Sequence, residues 1–294
     1  MKSPLPIRDG VSPSKQYLPA GSWRCMLEFL LQYFPGVDTA TWLARMQRGE
    51  VVFADGVRIM PEHAYRAGAL IYYYREVAGE NAVPFEETVL FRDEHLLVVD
   101  KPHFLPVIPS GQYLHETLLV RLKRKLGLEH LTPIHRLDRE TAGVILFSHN
   151  PASRGVYQSL FHQREMHKVY EALAAMRPDL QFPLTRRSRM VKGEPFFRMQ
   201  ETEGEPNAET HIEMLEQRGN LALYRLRPVT GKKHQLRVHL AALGIPIVND
   251  CVYPGLLAEK GDDYSQPLQL LARSIAFKDP YTGQERCFAS DKNL

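Results

Sequence analysis

The chain has 294 residues, 44% of them hydrophobic and 24% charged, with a formal net charge of +3. That is enough for one substantial core and a small accessory domain, and no apolar run approaches the ~20 residues a membrane-spanning helix needs. Cys25, Cys251 and Cys287 are odd in number and far apart, which argues against a disulfide framework and against a zinc site.

The opening residues are broken by prolines and reach no apolar segment of the secretory kind, so a cytoplasmic location is expected. Residues 1–20 hold few large apolar groups at any regular period and read as a flexible tail. From Trp23 the pattern changes. Met26, Leu27, Phe29, Leu30 and Leu31 predict one helix, and Trp42, Leu43 and Met46 a second. Residues 50–53 and 57–60 flank Asp55-Gly56, a pair suited to a tight hairpin, and residues 70–74 predict a further strand. The small unit is therefore placed at residues 21–77, followed by a linker at 78–87 that carries Gly79, Pro84 and several carboxylates.

The larger domain is placed at 88–294. Strands are predicted at 89–91, 96–99, 143–147, 169–173, 211–215 and 221–226. Asn150-Pro151 supplies a cap and a first-turn proline for a helix that buries Val156, Leu160 and Phe161. Strands outnumber helices without regular alternation, so the expected class is α+β on a largely antiparallel mixed sheet.

Three segments carry chemistry. In Ile134-His135-Arg136-Leu137-Asp138-Arg139-Glu140-Thr141-Ala142-Gly143, flanking arginines favour an ionised Asp138, which could act as nucleophile or base; a surface ion-pair cluster is the alternative. Strand alternation puts Lys168 and Tyr170 on one face, where the ring could stack on a base or simply pack. Thr230-Gly231-Lys232-Lys233-His234-Gln235-Leu236-Arg237-Val238-His239 runs from a turn into a helix ending near Gly244, with cations at the anion-attracting end. Further basic clusters at Arg121, Lys123, Arg124 and Lys125, and at Arg186, Arg187, Arg189 and Lys192, could grip phosphates or be solvated faces.

Together and in this order, the three segments resemble the signature of RluA-type pseudouridine synthases, from about Val89 to the C-terminus. The resemblance implies that Asp138 is the catalytic aspartate, that Tyr170 packs on the target base and takes part in proton removal, and that Arg237 pairs with the aspartate. Arg136 would fill the gap left by a flipped nucleotide. The remaining polar motif residues, His135, Lys168, Lys232, Lys233, His234 and Gln235, are assigned to RNA binding. Asp100-Lys101-Pro102, Ala208-Glu209-Thr210, Asp250 and Tyr253 are supporting likenesses. Departures include Ala142 for a usual serine, Phe104 for a frequent glycine and Asn249 for a glycine before Asp250.

Residues 21–77 resemble, more loosely, an S-four-like α/β RNA-binding domain, with Arg24, Arg45, Arg48, Arg58 and Arg66 as its cations. The implied activity isomerises a uridine in structured RNA, rRNA first and tRNA second, with no metal or other cofactor, and a monomer is expected. The competing readings are a catalytically inactive RNA-binding protein of the same fold and a nucleoside hydrolase or glycosidase, which would release the free base.

Overall fold

The computed structural model describes residues 3–77, 79–257 and 263–294 and divides into two compact units. Unit 1 is Met1–Glu80 with Pro109–His115, and unit 2 is Asn81–Ile108 with Glu116–Leu294.

In unit 1, β1 (Ser14–Tyr17) is followed by α1 (Met26–Tyr33), α2 (Thr39–Gln47), β2 (Val51–Phe53) and β3 (Leu70–Tyr73). The strands form an antiparallel sheet in the order β1-β3-β2. Asp38 starts α2 by accepting from the Thr41 N–H at 2.7 Å. The apolar stripes of both helices supply Met26, Phe29, Leu30, Trp42 and Met46 to one core with Ile71. At Asp55-Gly56 the turn closes as its residues require: Gly56 has φ +86° and Asp55 Oδ1 accepts from the Val57 N–H. The returning arm makes a single bridge, Val52 to Arg58, instead of the expected full strand.

The flexible tail expected at 1–20 needs correction. Met1 and Lys2 lie outside the described residues, but β1 pairs along its length with β3, and Leu18 and Val11 are buried. Strand pairing uses backbone donors and acceptors, so a segment poor in apolar periodicity still orders against an open sheet edge. The linker expected at 78–87 contains the boundary between the two units, at Glu80 and Asn81, although part of it is packed. Ala78 is outside the described residues, while Val83 is buried and its N–H donates to Glu116 at 3.0 Å. The cations named in this unit are largely engaged: Arg45 is buried and meets Glu76 at 3.2 Å, Arg48 meets Glu50 and Glu76, and Arg24 meets Glu28.

Unit 2 runs β4 (Thr88–Arg92), β5 (Leu96–Lys101), α3 (Leu118–Leu126), β6 (Thr132–Pro133), β7 (Ala142–Ser148), α4 (Pro151–His162), β8 (His167–Ala175) and β9 (Leu184–Lys192). It continues with β10 (Met199–Thr202), β11 (Ala208–Arg218), β12 (Leu221–Pro228), α5 (Gln235–Ala242), β13 (Leu270–Lys278) and β14 (Glu285–Ala289). These strands build one eleven-stranded sheet, ordered β10-β9-β11-β12-β8-β13-β7-β5-β4, with β14 on β13 and β6 on β7. The β13–β7 pair is parallel and the other described pairs of this sheet are antiparallel. This is the α+β mixed sheet the pattern predicted.

Sequence alternation shows directly in β12, where Ala222, Tyr224 and Leu226 are buried between more exposed neighbours. On the face that carries α5, Leu236 and Leu240 close a core over Ala172, Tyr224 and Ile212. A second core lies under α4. Asn150 caps α4 as expected, but Tyr157 and Leu160 are the large side chains it buries, while Val156 is exposed. The Tyr157 hydroxyl donates to buried Asp279 at 2.9 Å, a tertiary bond that fixes the helix phase.

Two basic clusters are partly spent internally, while Arg124, Arg189 and Lys192 are exposed. Arg121 pairs with Glu116 and Glu87, Lys125 with Glu86 and Glu87, Arg186 with Glu201 and Arg187 with Glu209. The first cluster sits on α3, which has Thr117 as its N-cap and left-handed Gly127 at its end.

Candidate active site

Asp138 lies on the loop between β6 and β7, and several local constraints hold that loop. His135 is one. Its Nε2 accepts from the Leu146 N–H at 3.1 Å, so Nδ1 carries the proton and donates to the Arg136 carbonyl at 3.2 Å. Burial holds this imidazole at about 4, in the neutral form that such two-way bonding requires. The Asp138 carbonyl accepts from the Thr141 N–H at 3.2 Å, closing the turn into β7. Gly143 then passes β13 at φ +108°, where a Cβ would stand 2.2 Å from the Ala272 carbonyl oxygen. No side chain fits there.

Lys101, at the end of β5, is fully buried and donates at 2.9 Å to each of the Pro102, Leu105 and Arg139 carbonyls. One ammonium thus ties the turn after β5 to the residue following Asp138. Burial pulls its pKa down to about 7, against the opposing pull of Glu140 and Asp138. Within that turn Phe104 adopts φ +64°, and Asn249 adopts φ +64° before Asp250. Both replace glycines of the family pattern, and the left-handed backbone explains why glycine suits those places.

The opposite wall comes from the start of α5. Arg237 is buried and forks onto Asp250, with Nε donating to Oδ2 at 2.7 Å and Nη2 to Oδ1 at 2.6 Å. Asp250 Oδ1 also accepts the Val252 and Tyr253 amides, at 2.8 and 3.1 Å. The remaining nitrogen, Nη1, stands 3.8 Å from Asp138 Oδ2. Burial works against the guanidinium's charge, but the bonds to Asp250 and the charge of Asp138 outweigh it and raise its pKa. The arginine therefore faces Asp138 while being held chiefly by Asp250.

His234 also reaches the carboxylate, with Nε2 3.8 Å from Asp138 Oδ2. Its backbone is left-handed at φ +56°, and its Nδ1 is 2.9 Å from the Tyr253 hydroxyl. That hydroxyl, on a buried ring, already accepts from the Met199 N–H at 2.8 Å. Its own proton is satisfied by pointing at Nδ1, which leaves the imidazole proton on Nε2, facing Asp138. Burial holds His234 at about 4, so it is neutral near pH 7.

Lys168 and Tyr170 project from β8 into the same space, and the Lys168 Nζ ends beside Gly231. Burial and the Asp138 charge push the Tyr170 phenol up, so it stays protonated; burial alone pulls Lys168 down. These groups line a cavity of about 630 Å³ together with Arg136, Lys232 and Leu137. Arg136 is 61% exposed, with Nη2 3.9 Å from Asp138 Oδ1.

The structure thus gathers Asp138, Tyr170 and Arg237 around one cavity, with Arg136, Lys168, Lys232 and His234; Lys233 is not among the lining residues but feels the charges of Asp138 and Arg136. Two RNA-binding assignments are corrected. His135 spends both ring nitrogens on the backbone. Gln235 is buried and saturated: its Oε1 accepts from the Lys232 N–H and the Thr230 hydroxyl, and its Nε2 donates to the Glu209 carbonyl and Thr210 Oγ1. Both brace the site. Lys101, Asp250 and Tyr253 had no assigned role, although their segments stood out as likenesses. Among the described residues no group of three or more His, Cys, Asp or Glu is placed to hold a metal ion.

Comparison with known proteins bears on this geometry. Residues 95–242 match the family model described as RNA pseudouridylate synthase. The chain is similar to an RNA pseudouridine synthase of Synechocystis, at 30% identity over 237 residues, 78% of this chain and 80% of the relative. It is also 32% identical to the dual-specificity RNA pseudouridine synthase RluA of Haemophilus influenzae, over 68% of this chain and 90% of that one. Among solved structures, human RNA pseudouridylate synthase domain containing 1 superposes with a TM-score of 0.58 at 23% identity, over 74% of this chain and 86% of its own; that likeness shows the shared fold.

Proposed function

The chain belongs to the RluA-type family of RNA pseudouridine synthases, isomerases acting on uridine in RNA, and on that premise we propose that Asp138 is the residue that carries the reaction. One observation supports this above the rest: Asp138 is the carboxylate on which Arg237, His234 and Arg136 converge, each within 4 Å, at the wall of a cavity shared with Tyr170.

The chemistry sets the requirements. The bond from the sugar C1′ to the base N1 breaks, the base turns, C1′ bonds to C5, and the C5 proton leaves while N1 takes one up. An ionised carboxylate beside the sugar serves attack at the sugar, attack at the ring and removal of a sugar proton alike. Arg237 supplies a fixed positive charge and His234 a neutral N–H, both nearest the same oxygen, Oδ2, of Asp138. The protonated Tyr170 ring offers a face for the pyrimidine. A cavity of about 630 Å³ suits one everted nucleotide, and exposed Arg136 at its rim can occupy the place the nucleotide leaves in the RNA.

Ribosomal RNA is the first substrate assigned and tRNA the second, on the likeness of the N-terminal unit to the domain that precedes rRNA-modifying relatives. Pseudouridine mapping in total RNA with and without the gene, together with incubation of the purified chain with transcribed rRNA and tRNA, tests this. Loss of a mapped site in either RNA class and its restoration in vitro support the reading. Release of free uracil would point to a hydrolase, and binding without conversion to an inactive RNA-binding protein.

A further inference from the structure

The turn joining β9 to β10 lies outside the cavity walls, yet it is built against them. On β9, Ser188 and Met190 face α5: the Ser188 hydroxyl lies 3.1 Å from His239 Nε2, and Met190 packs with Val238 and Tyr253. Strand alternation continues this face to Lys192, which is exposed. Lys192 is the register partner of Met199, whose N–H holds the Tyr253 hydroxyl that in turn holds His234. The end of this hairpin is therefore linked, through Tyr253, to the group that faces Asp138.

The turn itself is fixed. Gly193 N–H donates to the Arg198 carbonyl at 3.1 Å, and Arg198 N–H to the Pro195 carbonyl at 2.8 Å. Arg198 Nη2 donates to the Pro254 carbonyl at 2.7 Å, with its guanidinium 5.3 Å from the Tyr253 ring centre. On this anchored tip Phe196 is 83% exposed, the most exposed large apolar side chain among the described residues. Among the described residues its ring pairs with that of Phe197, edge to face at 5.7 Å. A solitary exposed apolar residue is ordinary on a flexible loop. A phenylalanine held open on a braced turn can instead serve as a stacking platform.

On the cavity side of the turn the charges named around Lys233 are positive apart from the reacting carboxylate. Lys233 feels the charges of Arg136, Arg237 and Lys192, and among its named neighbours the negative one is Asp138. A cationic path thus leads from Arg136 at the cavity rim by Lys233 to Lys192. The turn also carries exposed Glu194, so the group met at the tip should be an uncharged base face, with the phosphates on the lysine side.

We propose that the β9–β10 turn is a second RNA contact of this enzyme, in which Phe196 stacks on an unpaired base flanking the target uridine while Lys192 and Lys233 hold the phosphates between. This rests on the isomerase reading and extends it, because the residues outside the cavity then set which flanking nucleotides are accepted.

Fluorescence anisotropy tests the contact with the full chain carrying Asp138→Asn, on a long labelled oligouridylate and on a short one that fills only the cavity. Phe196→Ala should weaken binding of the long probe about tenfold, the size of one lost base–aromatic stack. Phe196→Trp should keep the affinity and Phe196→Leu should not, which separates stacking from mere apolar contact. Lys192→Ala should reduce the salt dependence of long-probe binding by about one counterion. The short probe should bind equally to all variants. Equal affinity of Phe196→Ala and its parent for the long probe, or an equal loss on both probes, overturns the contact. Turnover of the unsubstituted chain is read separately as tritium release from C5-labelled uridine in RNA. Turnover with no Phe196 effect rejects only the second contact, and a Phe196 effect without turnover rejects only the isomerase reading.

Discussion

Replacing Asp250 by Asn should cripple the site without touching any group that meets substrate. Asp250 takes two bonds from buried Arg237 and two backbone amides at the same carboxylate. An asparagine offers one acceptor where four donors converge, and it turns an amide N–H₂ towards a guanidinium. Breaking a buried pair in this way costs about 3–5 kcal/mol, because it leaves an uncompensated charge. For a unit of this size each kcal/mol lowers Tm by about 2–4 °C, so a fall of roughly 10 °C is expected by calorimetry.

The catalytic effect follows from the same geometry. Freed from its fork, Arg237 no longer presents Nη1 at 3.8 Å from Asp138, and a displacement of about 1 Å costs on the order of a hundredfold in kcat. Both effects should be strongly non-additive with Arg237→Met, since the double variant removes the buried charge that the single variant strands. An Asp250→Asn enzyme with unchanged Tm and unchanged kcat, assayed well below its melting temperature, would refute the reasoning. Strict additivity in the double-variant cycle would refute it equally.

Further outcomes follow from the same contacts. Tyr253→Phe removes the acceptor of the Met199 N–H and the donor to His234 Nδ1, so it should cost about 1–3 kcal/mol in stability and lower kcat more than it changes KM. Buried His239 is held at about 4 against an ordinary imidazole value near 6.5, so between those values the unfolded chain binds the proton and the fold loses stability as pH falls. Thermal melts from pH 7 to pH 4 should therefore slope steeply, and His239→Gln should flatten part of that slope; an unaltered slope would contradict the assignment. Asn249→Gly should leave stability within about 1 kcal/mol of the parent, whereas Asn249→Ala, forced to φ +64°, should be less stable by about 1–2 kcal/mol in urea unfolding.

The segments holding Asp138, Tyr170 and Arg237 were legible because their chemistry is written in contiguous motifs, and the sheet class because strand alternation such as that of β12 is local. What eluded the sequence depends on partners distant along the chain. Gln235 and His135 look like free polar handles until their bonds to Glu209, Thr210 and Leu146 are seen. Likewise Asp250 meets Arg237 thirteen residues away, a separation that no periodicity marks. The phase of α4 was misjudged for the same reason, since Asp279, which receives Tyr157, is 122 residues further on. The helix α3 is a different case: its Thr117 cap and Gly127 stop were present, but a dense run of cations drew attention to charge instead of to those signals. The ordering of residues 14–17 came from an open edge of β3, which only the assembled sheet presents.

The most direct test of the central claim is single-turnover conversion of uridine in RNA by the Asp138→Asn enzyme, with RNA affinity measured in parallel. The structure predicts an intact fold, RNA affinity within a few-fold of the parent and no detectable pseudouridine. Conversion at a rate near that of the unsubstituted enzyme would show that the reaction runs through some other group.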